Sequence, residues 1–440
     1  MHSNDHHKKA ELALKHAIDM GAEQASVRFS NGQGFSVTAQ NGAIETVEDY
    51  KDQSFTVTVF LQKSIGSASS NNLNELAIKT AVDKAFSLSS LTASDDCNGL
   101  ADKVRMANKA IDLDLYHPWD LDIEKAKQIA VECEAAALES DNKVVNSEGA
   151  TVGSYITQSL YANSHGFTGY SEATGHTISC TAIAQNNGAM EMDYDYTSAR
   201  HYADLTGHKI IGSQAGLRAA QNLGSRKIKT QKASVIFSPR VSSSLVSHIM
   251  NAISGSSLYR QSSFLLNAKD KQICPDFITI KEEPHLKRGF SSSYFDAEGV
   301  QTSPRNIIEN GVLKGYLLSS YSARRLGMET TGNAGGHHNL MLEPTDEHDM
   351  ESMIKNMKSG FLITGLIGYG VNMVNGDYSR GANGFWIENG EIAFPVSEVT
   401  VAGNLKDMLM QITSVGNDPE KNGSIYSGSI LMDNLMIAGE

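Results

Sequence analysis

His248 lies in the stretch SSLVSHIMNA, Ser243 to Ala252, and a histidine on an amphipathic helix raises the question of a metal. Zinc peptidases commonly set two histidines four residues apart, because that spacing brings both imidazoles to one helical face. Here the residues four before and four after are Ser244 and Ala252, and neither is a normal zinc ligand. A lone histidine of this kind is more often packed than ligating. His337 and His338 follow a glycine turn in GNAGGHHNLMLEP, with Glu343 five residues beyond His338. Neighbours on a strand point to opposite faces, so only a loop lets both histidines meet one ion. Glu191, Asp193 and Asp195 alternate with Met192, Tyr194 and Tyr196, which predicts a strand with three carboxylates on a solvated face. Nucleophile signatures are weak. NGDYSRGANG sets Ser379 and Arg380 among glycines without forming a G-x-S-x-G elbow, and the S-x-x-K match at Ser140 to Lys143 falls at a polar helix end. No P-loop or GxGxxG stretch supports nucleotide binding.

The chain that positions these residues has 440 of them, which at about 100–200 residues per domain predicts two to four domains. Lys and Arg number 37 against 50 Asp and Glu, a net charge of −13 that repels a phosphate backbone, so no nucleic-acid partner is expected. Cys97, Cys133, Cys180 and Cys274 form no CxxC pair and read as reduced thiols. The polar start MHSNDHHKKAELALKHA lacks the apolar core of a signal peptide, and no window reaches the ~18–20 apolar residues of a membrane span. A cytoplasmic protein with no membrane contact is expected.

Periodicity predicts an α+β fold: two N-terminal helix/β-meander units followed by a β-rich, sandwich or barrel-like, C-terminal domain. The first unit, 1–105, reads as a helix, four β segments (ASVRFS, GFSVTAQ, GAIETVEDY, SFTVTVFLQ) and a helix. The central unit, 112–225, repeats that plan after an irregular linker. Over 230–440 a strand, ASVIFSP, leads through Pro239 into the helix of His248, and Asn-Gly and Gly-Gly turns then separate short strands.

Three long motifs resemble the TldD/PmbA family of gyrase modulators and metal-dependent peptidases. They are FDAEGVQTSPRNIIENGVLKGYLLSSYSARRLGMETTGNAGG, VNGDYSRGANGFWIENGEIAFPVSEVTVAGNLKDML and GSILMDNLMIAG, in order along 230–440. The resemblance implies two kinds of subunit. The TldD type carries an HExxxH helix after a strand and a proline turn, where Ser244 and Leu245 stand here near the first His and the Glu, and His248 near the second His. Its later cysteine ligand would fall around GNDPEKNGSIYSGS, but no cysteine follows Cys274. The chain is therefore similar to the PmbA branch, also called TldE. By that resemblance it is a subunit with no catalytic or metal residue of its own, and zinc is expected in a TldD-type partner. It would form a heterodimer with that partner, or a homodimer when alone, and act on unfolded and small peptides such as microcin-type antibiotics, with only an indirect link to gyrase. His248, His337, His338 and Arg380 are the residues then expected at the substrate cleft. Two alternatives stand beside this reading. One is a stand-alone metallopeptidase gathering His248, His337, His338 or Glu343; the other is a non-enzymatic peptide-binding homodimer.

Overall fold

Alanines at helical spacing, Ala10, Ala13 and Ala17, bury one side of α1 (His2–Asp19) against a sheet. The computed structural model describes residues 2–345 and 347–440. Strands β1 (Gln24–Gln40), β2 (Ala43–Leu61) and β3 (Ser64–Ser70) follow, then α2 (Glu75–Leu91), whose first turn is capped by the Asn74 side chain accepting from Ala77 N. The four expected β segments merge into two long strands, β1 and β2, and the short β3 is an additional strand the sequence reading did not name. The stretch NGQG, 31–34, reads as a break but runs through β1 as strand, because β2 and β4 hydrogen-bond it on both sides. Ladder bonds on two flanks outweigh the poor strand propensity of Asn and Gly.

Residues 92–122 are irregular apart from a short turn of helix at Lys103–Arg105. They lead to α3 (Ile123–Glu139), β4 (Val144–Asn163), β5 (Thr168–Asn186), β6 (Ala189–Ala199) and α4 (His208–Asn222). The two helix-and-meander units share a single six-stranded sheet, β3-β2-β1-β4-β5-β6. Its centre is the antiparallel ladder from Ser26↔Asn163 to Ala39↔Ala150. One face carries two separate apolar clusters. Phe29, Phe55, Val57 and Leu160 lie under α1 and α2, and Val37, Val152, Ile178 and Ala182 under α3 and α4. Helices α3 and α4 approach so closely that a Cβ at Gly212 would meet the Cys133 carbonyl, and only small residues fit that crossing.

The buried carboxylate of Glu134, on α3, ties this helix to the sheet. It accepts from Asn41 N at 2.8 Å and Gly42 N at 2.9 Å in the β1–β2 turn, and also from the Ser147 hydroxyl on β4. Asn41 and Gly42 both have positive φ, as a tight hairpin of this twist requires.

The C-terminal half opens with β7 (Gln231–Phe237), α5 (Pro239–Ala252) and α6 (Gly255–Tyr259). Next come β8 (Ile280–Glu283), β9 (Arg305–Glu309), β10 (Val312–Leu313), α7 (Ser320–Arg325) and β11 (Asn339–Leu342). The series ends with α8 (Met350–Asn356), β12 (Ser359–Ile367), β13 (Asp377–Glu388), β14 (Glu391–Asn404), α9 (Leu405–Met410), β15 (Ile412–Val415), β16 (Ile425–Tyr426) and β17 (Ile430–Ala438). Of the two expected forms the barrel is found. Strands β14-β13-β12-β7-β17 form a ring closed by β14 pairing with β17, with β15 outside β17, and a second sheet runs β10-β9-β8-β11-β16. One large core, including Val235, Phe237, Leu245, Ile249, Phe361 and Ile363, joins β7, α5 and β12.

Replacing Glu134 by alanine leaves two backbone N–H groups and a hydroxyl without their acceptor. The expected loss is about 2–4 kcal/mol of unfolding free energy, read by urea denaturation against the parent chain.

Candidate functional site

Between the six-stranded sheet and the barrel lies a cleft of about 510 Å³. Its walls are Met192, Asp193 and Tyr194 of β6, the first turns of α5 at Arg240, Val241 and Ser244, and the β12–β13 hairpin at Thr364–Ile367, Arg380 and Asn383. The helix wall exists because Pro239 starts α5 directly after β7 and the helix buries its Leu245, Val246 and Ile249 stripe, so the opposite side faces the sheet.

The expected solvated face of Glu191, Asp193 and Asp195 is not found. Those side chains turn toward α4 and α5, where partners hold them. Asp195 pairs with Arg218, Asp193 accepts from Asn222 at 3.0 Å and pairs with Arg240 at 3.2 Å, and Ser225 donates to Glu191 at 3.2 Å. Their cause is the same strand parity read from sequence, with the opposite face covered. Arg240 also donates to the Tyr194 carbonyl at 3.0 Å and lies 4.6 Å from that ring's centroid. Sequence reasoning missed Arg240, although a cation in the first turn of a helix opposes the helix dipole and so was a signal.

Of the four sequence-predicted site residues, Arg380 lines the cleft, and His248 lies behind it against Tyr378, near enough to feel the Arg380 charge. The His248 ring stands edge-on to Tyr378 with centroids 6.1 Å apart. Burial, and then the Arg380 charge, push the His248 pKa below the ordinary histidine value. Burial also raises the Tyr378 phenol to about 12. Arg380 donates through Nε to the Gly368 carbonyl at 3.1 Å and makes no ion pair among the described residues.

His337 and His338 lie elsewhere and do not share a site. His338 is buried, and its Nδ1 and backbone N sit 3.1 Å and 2.9 Å from Glu282 Oε1. Glu282 also takes Arg305 Nε at 2.8 Å and Asn333 Nδ2 at 2.7 Å. This network anchors the glycine turn, so His338 has a structural task. His337 borders a separate cavity of about 350 Å³ with Asn251, Tyr259 and Tyr321. Glu343 pairs with Lys281. Ser140 donates to the Ala137 carbonyl at 2.7 Å at the end of α3, which is the helix-end role the sequence suggested.

Known families cover most of the chain in order. The PmbA/TldA metallopeptidase domain 1 matches residues 25–89, the central domain 116–223 and the C-terminal domain 230–439. The chain belongs to the PmbA/TldD family. It is 42% identical over 439 residues to a metalloprotease PmbA homolog of Haemophilus influenzae, covering 98% of this chain and 97% of that one. With the metalloprotease PmbA of Escherichia coli O157:H7 it shares 43% over 436 residues, again 98% and 97% of the two chains. Within the PmbA/TldD family it therefore stands on the PmbA branch. A crystal structure from Bacteroides thetaiotaomicron, named as a modulator of DNA gyrase, superposes with a TM-score of 0.95 at 29% identity, over 100% of both chains. No helix among the described residues is long and apolar enough to cross a membrane.

The PmbA/TldD family is named for metal-dependent proteolysis, so the donors on α5 bear on zinc. They do not suit it. Ser244 spends its hydroxyl on the Val241 carbonyl at 2.6 Å, Leu245 is packed in the core, and His248 is a single imidazole with a guanidinium beside it. Among the described residues no three His, Cys, Asp or Glu side chains converge on one point. The segment 416–429 is held by Asp418, which accepts from Ser429 N at 2.8 Å and Met350 N at 2.9 Å.

Two titrations test this geometry. Burial pulls the Glu282 pKa upward, but the His338 hydrogen bond and the Arg305 charge outweigh it and hold the carboxyl at about 2, against an ordinary 4.5. A depressed folded-state value stabilises the protein above about pH 4.5 and loses that contribution as pH falls toward 2. Urea denaturation between pH 6 and 3 is expected to show a drop of up to about 2 kcal/mol that Glu282→Gln largely abolishes. For His248, NMR of the imidazole is expected to give a midpoint below about 6.5. Arg380→Gln should move that midpoint up by removing a like charge.

Proposed function

We propose that this chain is the PmbA/TldE-type subunit of a cytoplasmic two-subunit peptidase acting on unfolded and small peptides, and that a TldD-type partner supplies the zinc. Membership of a peptidase family supports the proteolytic context. The observation that carries the subunit role is the α5 wall of the cleft. At the place where the sequence resemblance puts a zinc helix, it presents Arg240, Val241 and Ser244 to the cleft, with Arg380 on the β12–β13 wall and His248 a turn further along the helix. Water activation on zinc needs convergent anionic or imidazole donors and a base, and here the nearest carboxylate, Asp193, is already bound by Arg240. The same cleft is open along β6 and the β12–β13 hairpin, a shape that suits an extended peptide. Its part in the reaction is to hold and direct substrate toward the partner.

The purified chain is expected to contain far less than one zinc per molecule by elemental analysis and to leave unfolded peptides intact. Adding a TldD-type subunit should produce chelator-sensitive cleavage exceeding that of the added subunit alone. Stoichiometric zinc and chelator-sensitive cleavage by the lone chain would instead establish a stand-alone metallopeptidase. Peptide binding with no effect on a TldD-type subunit would establish a non-enzymatic binding protein.

A further inference from the structure

Three arginines stand on or behind the cleft wall, and two of them are already neutralised. Arg218 is paired with Asp195, and Arg240 with Asp193. Arg380 has its Nε on the Gly368 carbonyl and no carboxylate partner among the described residues, although it lines the cleft. Counting the charged lining, two arginines face one aspartate, a local positive excess in a chain of net charge −13. A guanidinium left in this state offers a planar fork suited to a carboxylate.

Neighbouring groups narrow the ligand further. Asn383, three residues along β13, also lines the cleft, its Oδ1 buried against Gly365. Around the cationic centre, Met192, Val241, Leu366 and Ile367 form an apolar wall, and Met192 and Ile367 leave more than half of their surface exposed. A carboxylate beside an apolar side chain is a feature of a peptide terminus. The cleft of about 510 Å³ is of the size that takes a few residues.

We infer that the cleft captures a peptide carboxylate on Arg380, with an adjoining apolar side chain against Leu366 and Ile367. The inference rests on the peptide-handling reading above and adds the substrate end that this subunit recognises. A carboxylate reaches the site from a C-terminus or from an acidic side chain, and the two sources are separable.

The test uses the full chain and a fluorescein-labelled tetrapeptide ending in leucine, prepared as the free acid, as the C-terminal amide, and as an amide with an internal glutamate. Anisotropy titration is expected to show the acid binding about 10- to 100-fold tighter than the plain amide, the range for a charge-assisted pair. Arg380→Gln should bring the acid to the affinity of the amide, and Arg380→Lys should restore part of the difference. Melting temperatures for both variants confirm that the barrel is intact. An internal glutamate that matches the free acid supports carboxylate capture from a side chain. Equal binding of acid and amide by the parent chain, or a preference that survives Arg380→Gln, overturns the inference and leaves peptide handling standing. If none of the three peptides binds, the inference falls; the peptide-handling reading falls with it only if the zinc and cleavage assays also fail.

Discussion

An edge strand presents a row of backbone N–H and C=O groups that must find partners, and β6 meets this requirement with side chains from beyond its own sheet. Ser198 N donates to Asn422 Oδ1 and the Tyr196 carbonyl accepts from Asn422 Nδ2, each at 3.2 Å. The Tyr194 carbonyl is taken by Arg240 at 3.0 Å and by Arg218 at 3.3 Å. Asn422 and Arg240 belong to the C-terminal half, so the edge of the large sheet is fastened to α5 and to the segment before β16. The position of α5 over the sheet, and with it the cleft, follows from this one demand. A strand added along Tyr194 to Ser198 would have to displace those side chains first.

The same contacts explain why the cleft is polar on one side and apolar on the other. Strand parity turns Asp193 and Asp195 toward the helices and leaves Met192, Tyr194 and Tyr196 on the opposite face. The acids are consumed in holding the arginines that cap the edge. Arg380, on a hairpin of the barrel, takes no part in that seam, which is why its charge is left over.

Much of the secondary structure was legible because its cause is local. Alanine spacing in α1, acids and the Asp122 cap at the start of α3, and Asn-Gly turns between barrel strands all act over a few residues. The joining of the two N-terminal units was not legible, since the β1–β4 ladder pairs residues more than a hundred positions apart and leaves no periodic trace in either strand. The site was partly legible. Arg380 was named and lines the cleft, whereas His338, expected there too, is held elsewhere by Glu282. Arg240 escaped because its role depends on Asp193, on a different domain.

Closure of the barrel carries a consequence for how the chain is made. Strand β7 pairs on one side with β12 and on the other with β17, and β14 also waits for β17 before the ring is complete. During synthesis from the N-terminus, β7 and β14 emerge with open edges that nothing covers until the strand at the far end of the domain has left the ribosome. Such long-range closure is slow, and open apolar edges invite association with other chains in the interval. In the six-stranded sheet each strand after β1 finds a neighbour already made, and the one long wait is that of the second β1 edge for β4. Folding therefore proceeds from a finished N-terminal platform toward a barrel that locks last, when β17 closes the ring that carries the β12–β13 wall of the cleft.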